Sequence, residues 1–404
     1  MNEPLTASEL PRGFTFAGMH CGLKKTKLDL GLLLSEVPAS AAAVFTMNQV
    51  VAAPVMLCRE NMKKSHQKIR GIIVNSGNAN CCSGPEGYAA SVATAQKLSQ
   101  ELGRVDPSQF LVCSTGVIGA PLQVEKILVA MPELVRLPKG DPWSFEQFAR
   151  SIMTTDTVPK WAAEKIRIGK KQVRIAACAK GSGMIHPNMA TMFAFIATDA
   201  TIASPLLGRA LQEAVDPTFN SITVDGDTST NDTVALLANG LAGARPLSAD
   251  TANYRLFCEA LESICKTLAL AIVRDGEGAQ RVIEIEVRGA PSDNAADQIA
   301  RTIANSPLVK TAFAGADPNW GRILAAAGRS GVKFNFERVD IALAGFEVCR
   351  GGREYPFNEV TAHEKMLDKY VPVIVNLHAG EGHARIWTCD LTKEYIHINA
   401  SYRT

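Results

Sequence analysis

The chain has 404 residues, enough for one large domain or two to three ordinary ones with an ample core. Hydrophobic residues make up 47% and charged residues 20%, as in ordinary globular proteins, and a net charge of +2 argues against a surface built for nucleic acid or anionic membrane. Nowhere do 18 apolar residues run together, and Met1-Asn2-Glu3-Pro4-Leu5 has no basic segment leading into an apolar one. Neither a membrane span nor a secretory leader is expected, and the cytoplasm is the expected compartment.

In chain order, Ala42-Ala43-Val44-Phe45 and Val50 to Leu57 are short apolar pieces bounded by turn residues, which predicts strands. Gly71 to Asn75 reads as a buried strand running into the polar loop Ser76-Gly77-Asn78-Ala79-Asn80. Residues 87–102 have helical apolar spacing closed by Gly103, and Phe110 to Cys113 is a further strand ending in Ser114-Thr115-Gly116. Strands are expected at 172–179 and 192–198, then a helix starting at Ser204-Pro205 and a long one at 250–273. Val282 to Val287 alternates strictly, as a half-buried strand should, and a helix near 293–304 follows. Strands at 339–348, 372–377, 385–389 and 395–399 complete the reading. Strand runs often succeed one another without a helix between, which favours a layered α/β or α+β architecture over a regularly alternating parallel sheet.

Ten cysteines are scattered with no Cys-x-x-Cys pair, and Cys113, Cys178, Cys265 and Cys389 sit inside apolar runs. They read as small buried hydrophobes of a reducing compartment rather than a disulfide framework. The seven histidines form no ligand cluster, and His363-Glu364 lacks the second histidine of a zinc helix because position 367 is Leu367. Asp225-Gly226-Asp227-Thr228-Ser229 has the look of a calcium loop, but Thr230 and Leu236 stand where its glycine and glutamate belong. No metal is expected. Gly181-Ser182-Gly183 lacks the outer glycines of a nucleophile elbow, and no glycine-rich phosphate loop is present.

The stretch Lys180 to Phe195 passes from a polar, glycine-bearing loop through Met189-Ala190-Thr191 into an apolar run. A threonine hydroxyl needs a base, and the free amine of the same residue serves when it begins a chain. An α-amine has a reference pKa near 8 against about 10.4 for lysine, so it is substantially unprotonated close to neutrality. Attack of the Thr191 hydroxyl on the Ala190 carbonyl would create that chain start. An ordinary strand-initial threonine is the alternative on these residues alone. A strand ending in Thr115-Gly116 can aim a hydroxyl and an N–H at one point, as an oxyanion requires, and a simple strand-end turn is its alternative.

The motifs together resemble the ornithine acetyltransferase (glutamate N-acetyltransferase) family, the bifunctional proteins of cyclic arginine biosynthesis. They are Asn75 to Asn80, Ser114 to Gly119, Thr154-Thr155-Asp156-Thr157-Val158-Pro159-Lys160, Lys180 to Thr191, Asp225 to Asp232, Arg274 to Ala279, Asp317-Pro318-Asn319-Trp320-Gly321-Arg322 and Ile398 to Thr404. The resemblance runs from about Pro11 to Thr404 and departs from the family at Cys81-Cys82 and Ser401. It implies a layered sandwich similar to N-terminal-nucleophile and self-processing aminopeptidase folds. It implies self-cleavage between Ala190 and Thr191 into an α chain (1–190) and a β chain (191–404) that form one catalytic unit, assembled as an α2β2 heterotetramer. Thr191 is then the nucleophile, Thr115 and Gly116 the oxyanion pair, and Thr154, Lys180, Thr191, Glu277, Asn399 and Thr404 the substrate-binding set. The implied reaction moves acetyl from N2-acetylornithine to glutamate without a bound cofactor, with acetyl-CoA left open as a second donor. A self-processing aminopeptidase or amidase is the rival enzyme, and an unprocessed amino-acid-binding protein the rival of another class.

Overall fold

The computed structural model describes residues 5–186 and 192–401, so Ala190, Thr191 and Thr404 lie outside the described residues. The chain divides into two compact units. The first comprises Met1–Gly181, Asn188–Asn220 and Thr228–Ala269, and the second Ser182–Pro187, Ser221–Asp227 and Leu270–Thr404.

The first unit is built on strands β1 (Phe14–Met19), β2 (Leu30–Phe45), β3 (Lys68–Asn78), β4 (Phe110–Val117), β5 (Lys160–Ile168), β6 (Lys171–Lys180), β7 (Phe193–Thr198) and β8 (Thr233–Ala238). They form one eight-stranded sheet in the order β4-β3-β2-β8-β7-β6-β5, with β1 beside β2. Its apolar runs are continuous because both faces are covered. Ile72 and Val74 of β3 join Leu111, Cys113, Phe145 and Phe148 in one core. Ile73 between them joins Phe110, Val112, Leu98 and Met131 in another. β3 and β4 pair in parallel, so a crossover must return the chain, and the helix Gly84–Glu101 lies in that connection. The long β2 shifts register between Leu34 and Ala39. Pro38, which has no N–H to offer a ladder, stands inside that shift.

The second unit holds β9 (Val282–Ala290), β10 (Asp340–Leu343), β11 (Phe346–Arg350), β12 (Arg353–Glu354), β13 (Tyr370–Asn376) and β14 (Gly382–Cys389). They make a six-stranded sheet ordered β12-β11-β10-β13-β9-β14. The alternation read from β9 is real. Ile283, Ile285 and Val287 enter a core with Ile299 and Ile303 of the helix Asp293–Ala304, while Glu284 and Glu286 bond to Trp387 and Arg288. The architecture is thus mixed α/β, with sheets carrying helices, as the strand and helix pattern predicted.

Three segments differ from the sequence reading, the first being 339–348, expected as a strand but folded as the antiparallel pair β10 and β11 turned at Ala344-Gly345. Val50 to Leu57 was expected as a strand, but a helix runs Ala53–Lys64. Pro54 sits in its first turn, where a missing N–H costs nothing, and Pro54, Leu57, Cys58 and Asn61 bury one helical face. Residues 395–399, expected as a strand, lie in the helix Lys393–Ala400, where Ile396 is 66% exposed. No helix among the described residues is long and apolar enough to cross a membrane.

Candidate active site

Parallel pairing brings the ends of β3 and β4 side by side, with Ser76 opposite Thr115 and Gly77 opposite Gly116. The backbone there is too tight for side chains. Gly116 has φ +133°, and a Cβ on it would come 2.6 Å from the Asn78 nitrogen. A network of buried amides fixes the two strand ends. Ser114 Oγ donates to Asn75 Oδ1 at 2.6 Å, and Asn75 Nδ2 donates to the Asn78 carbonyl at 3.0 Å. Asn231, just before β8, donates through Nδ2 to the carbonyls of Ala79 at 2.6 Å and Ser114 at 2.7 Å.

Lys180, the last residue of β6, is 5% exposed, and its ammonium donates to Thr115 Oγ1 at 3.4 Å. The hydroxyl of Thr115 therefore lies against a cation while keeping its own proton to donate. Opposite Lys180 in the antiparallel pairing is Phe193, the first residue of β7. Residues 181–192 thus join two adjacent strands, and the expected cut at Ala190-Thr191 falls in that connection. Both of those residues lie outside the described ones.

Asp156 organises the neighbouring turn and was not singled out from sequence. Its Oδ1 accepts from Lys160 Nζ and from the Gly181 N–H, each at 2.7 Å, and its Oδ2 accepts from the Thr154 N–H at 2.9 Å. Burial alone would raise the Asp156 carboxyl, but the charges of Lys160 and Lys180 with those hydrogen bonds hold it below the usual range. Thr154 and the start of the 181–192 connection are in this way tied to one buried carboxylate. The signal in the sequence was the four-residue spacing of Asp156 and Lys160 within one motif.

Asp232 is the second acid that sequence reading missed. Burial pushes its carboxyl well above the usual range, against the pull of the Met192 N–H, Lys180 and the Ser229 hydroxyl. Its Oδ2 has no hydrogen-bond partner among the described residues. Thr233, the next residue, donates to the Met192 carbonyl at 3.1 Å, so this buried acid stands beside the start of β7.

In the second unit, Asn399 Nδ2 donates to Glu277 Oε2 at 2.7 Å, which brings together two of the residues implied by resemblance. The Glu277 N–H donates to the Ser182 carbonyl at 2.9 Å. The Glu277 carboxylate covers Gly183 so closely that a Cβ there would meet both oxygens at 2.5 Å. Gly278, at φ +71°, completes the turn that aims Glu277. Asp225, from the calcium-like loop, accepts the N–H groups of Met184 at 2.6 Å and Ile185 at 2.9 Å. Thr404, the remaining member of the implied set, is outside the described residues.

The ArgJ family model matches residues 15–404. The arginine biosynthesis bifunctional protein ArgJ of Thermotoga neapolitana is 47% identical over 399 residues, covering 98% of this chain and all of that protein. Its namesake from Bacillus subtilis is 43% identical over 394 residues, covering 98% of this chain and 96% of its own. Among solved structures, the arginine biosynthesis bifunctional protein ArgJ of Bacillus halodurans is 45% identical with a TM-score of 0.50. That match covers 98% of the solved chain but 52% of this one.

Proposed function

The chain belongs to the ArgJ family, and from that premise we propose that this arginine-biosynthesis enzyme moves the acetyl group of N2-acetylornithine to glutamate through an acetyl-threonine at Thr191. The observation that carries the reading is the Lys180 ammonium set against the Thr115 hydroxyl beside a glycine that tolerates no side chain. These are polar donors at a strand end, on the chain that leads to Ala190-Thr191.

The self-cleavage comes first. The Thr191 hydroxyl adds to the Ala190 carbonyl, the peptide C–N bond breaks, and hydrolysis of the resulting ester frees a Thr191 amine and hydroxyl. The pairing of β6 with β7 supports this reading, because strands on both sides of the cut stay held in one sheet. So does a solved relative whose chain is matched by about half of this one. In catalysis the Thr191 amine takes the hydroxyl proton as the oxygen adds to the acetyl carbonyl. The oxyanion receives donors from Thr115 and the Gly116 N–H. Collapse breaks the bond to the substrate's α-nitrogen, which leaves as an amine carrying the transferred proton. The amine of glutamate then attacks the ester, and the Thr191 hydroxyl is regenerated with N-acetylglutamate.

Lys180 pairs with a substrate α-carboxylate, with Thr154 beside it, and Glu277 with Asn399 receives the side-chain amine of ornithine. Thr404 completes the proposed set. In this proposal the cut chains assemble as an α2β2 heterotetramer in the cytoplasm, and acetyl-CoA stays open as a second donor, which the second assay mixture below decides.

The test is to incubate purified protein with N-acetylornithine plus glutamate, and separately with acetyl-CoA plus glutamate, following N-acetylglutamate. Formation in the first mixture supports the transfer. Hydrolysis of N-acetylornithine with no N-acetylglutamate would favour the amidase reading. A single full-length band on a denaturing gel, in place of two bands of about half the length, would remove the cleavage.

A further inference from the structure

The two proposed amino acids differ in what their side chains demand. Both carry an α-carboxylate, which one cation satisfies, but glutamate carries a second carboxylate where ornithine carries an amine. A further cation, used by glutamate alone, would satisfy that second carboxylate. In the first unit Lys160 does not qualify, since it is 1% exposed and paired with Asp156 at 2.7 Å.

Lys24 does. Its ammonium donates to the Leu28 carbonyl at 3.0 Å and the Met153 carbonyl at 2.6 Å. An ammonium has three N–H groups, so a third is left for a ligand. Its charge has no carboxylate bonded to it among the described residues. Asp29, the nearest acid in sequence, accepts instead from the backbone N–H groups of Cys21 at 2.6 Å and Lys24 at 2.8 Å, and contacts His20 at 3.2 Å. That carboxylate shapes the 20–24 loop and so aims the Lys24 stem. Two contacts place the stem beside the candidate site. A Cβ built on Gly77, the residue in register with Gly116, would lie 3.2 Å from Lys24 Cγ. Met153, whose carbonyl holds the ammonium, is the residue before Thr154.

We propose that Lys24 binds the side-chain carboxylate of the acceptor glutamate and is the residue that selects this acceptor. The assignment rests on the acetyl-transfer reading above. Burial lowers the Lys24 ammonium to about 8, with Asp29 and Asp156 opposing and Lys27 and Lys180 adding to the fall. Its charge is therefore lost within a pH range in which the enzyme can be assayed.

The experiment measures kcat and KM for glutamate and for its neutral isostere glutamine as acceptors, with N-acetylornithine as donor. In Lys24→Met, KM for glutamate should rise about tenfold or more, the usual worth of a hydrogen bond to a charged group. KM for N-acetylornithine should rise less, and the preference for glutamate over glutamine should largely vanish. Lys24→Arg, which keeps the charge, should recover part of that preference. In the wild-type protein the glutamate-to-glutamine ratio of kcat/KM should fall as pH rises through about 8. This arm needs no variant to fold, and the acceptor amine titrates in both substrates. A preference unchanged in Lys24→Met, or a wild-type ratio flat from pH 7 to 9, would overturn the proposal. A wild-type protein that transfers acetyl to neither acceptor would instead overturn the underlying reading.

Discussion

Asp156 and Lys160 meet at 2.7 Å with side chains 0% and 1% exposed, so each buried charge has the other as its counter-ion. Removing one partner of such a pair typically costs about 3–5 kcal/mol, because the remaining charge is uncompensated. Asp156→Asn should lower the unfolding free energy by about that much in a denaturant titration, and a loss below about 1 kcal/mol would show that the pair is not the anchor described. The two buried acids also have opposite pH signatures. The Asp156 carboxyl is lowered in the folded chain, so its stabilisation is present above its ordinary value of 3.8 and is lost as pH falls through its folded value. The Asp232 carboxyl is raised, so its contribution is complete below 3.8 and is lost as pH rises toward its folded value. Asp232→Asn should accordingly raise Tm more at pH 8 than at pH 5; an equal change at both would place the ionised form in the folded protein. For the chemistry, Thr115→Ala should slow acetyl transfer by about a hundredfold, as loss of one oxyanion donor does elsewhere, and near-normal turnover would remove Thr115 from the site. Thr191→Ala should leave the chain uncut and inactive, an expectation that two fragments on a denaturing gel would end.

At the scale of elements, the glycines of the 181–183 loop matter for what lies against them. Gly183→Ala would force the Glu277 carboxylate off its present position. KM for N-acetylornithine should then rise about tenfold, one charge-assisted contact, with a smaller change for glutamate. Glu277→Gln should show the same asymmetry, and equal effects on both substrates would refute the pairing of this carboxylate with an amine. Elements were legible in sequence where one period dominated. Strict alternation in β9 and the apolar spacing of Asp293–Ala304 left no competing reading. They were illegible where a short run fitted two periods. Ala53–Lys64 has a proline at its second position and an apolar run that suits a strand edge as well as a first helical turn. Lys393–Ala400 buries no residue at all, so its alternating apolar residues reported no buried face.

For the whole molecule, the sheet of the first unit draws strands from both sides of Ala190-Thr191. β7 and β8 lie between β6 and β2 in its order. A segment ending at residue 190 would lack those two strands and leave the edges of β6 and β2 unpaired. Residues 1–190 expressed alone should therefore be insoluble or give no cooperative thermal transition, and coexpression with 191–404 should restore one. A soluble piece that melts cooperatively by itself would show that the sheet does not need both.

The sequence by itself carried the family. Long motifs in order, from Asn75-Ser76-Gly77-Asn78 to Asp317-Pro318-Asn319-Trp320, placed the chain among relatives whose model matches residues 15–404. It carried the mixed α/β class as well, since period and turn residues are local properties. Only the tertiary structure decided what those motifs do. The asparagines of 75–80 hold two strand ends together, Asp156 ties Thr154 to Gly181, and Asn319 caps the helix Trp320–Gly328. The meeting of Lys180 with Thr115, 65 residues apart, also needed the fold. So did the isolation of Asp232 and the open donor of Lys24. Spacing along the chain can bring two charges together, as with Asp156 and Lys160, but their burial is set by residues distant in sequence, and so is which charges end up without water or a counter-ion.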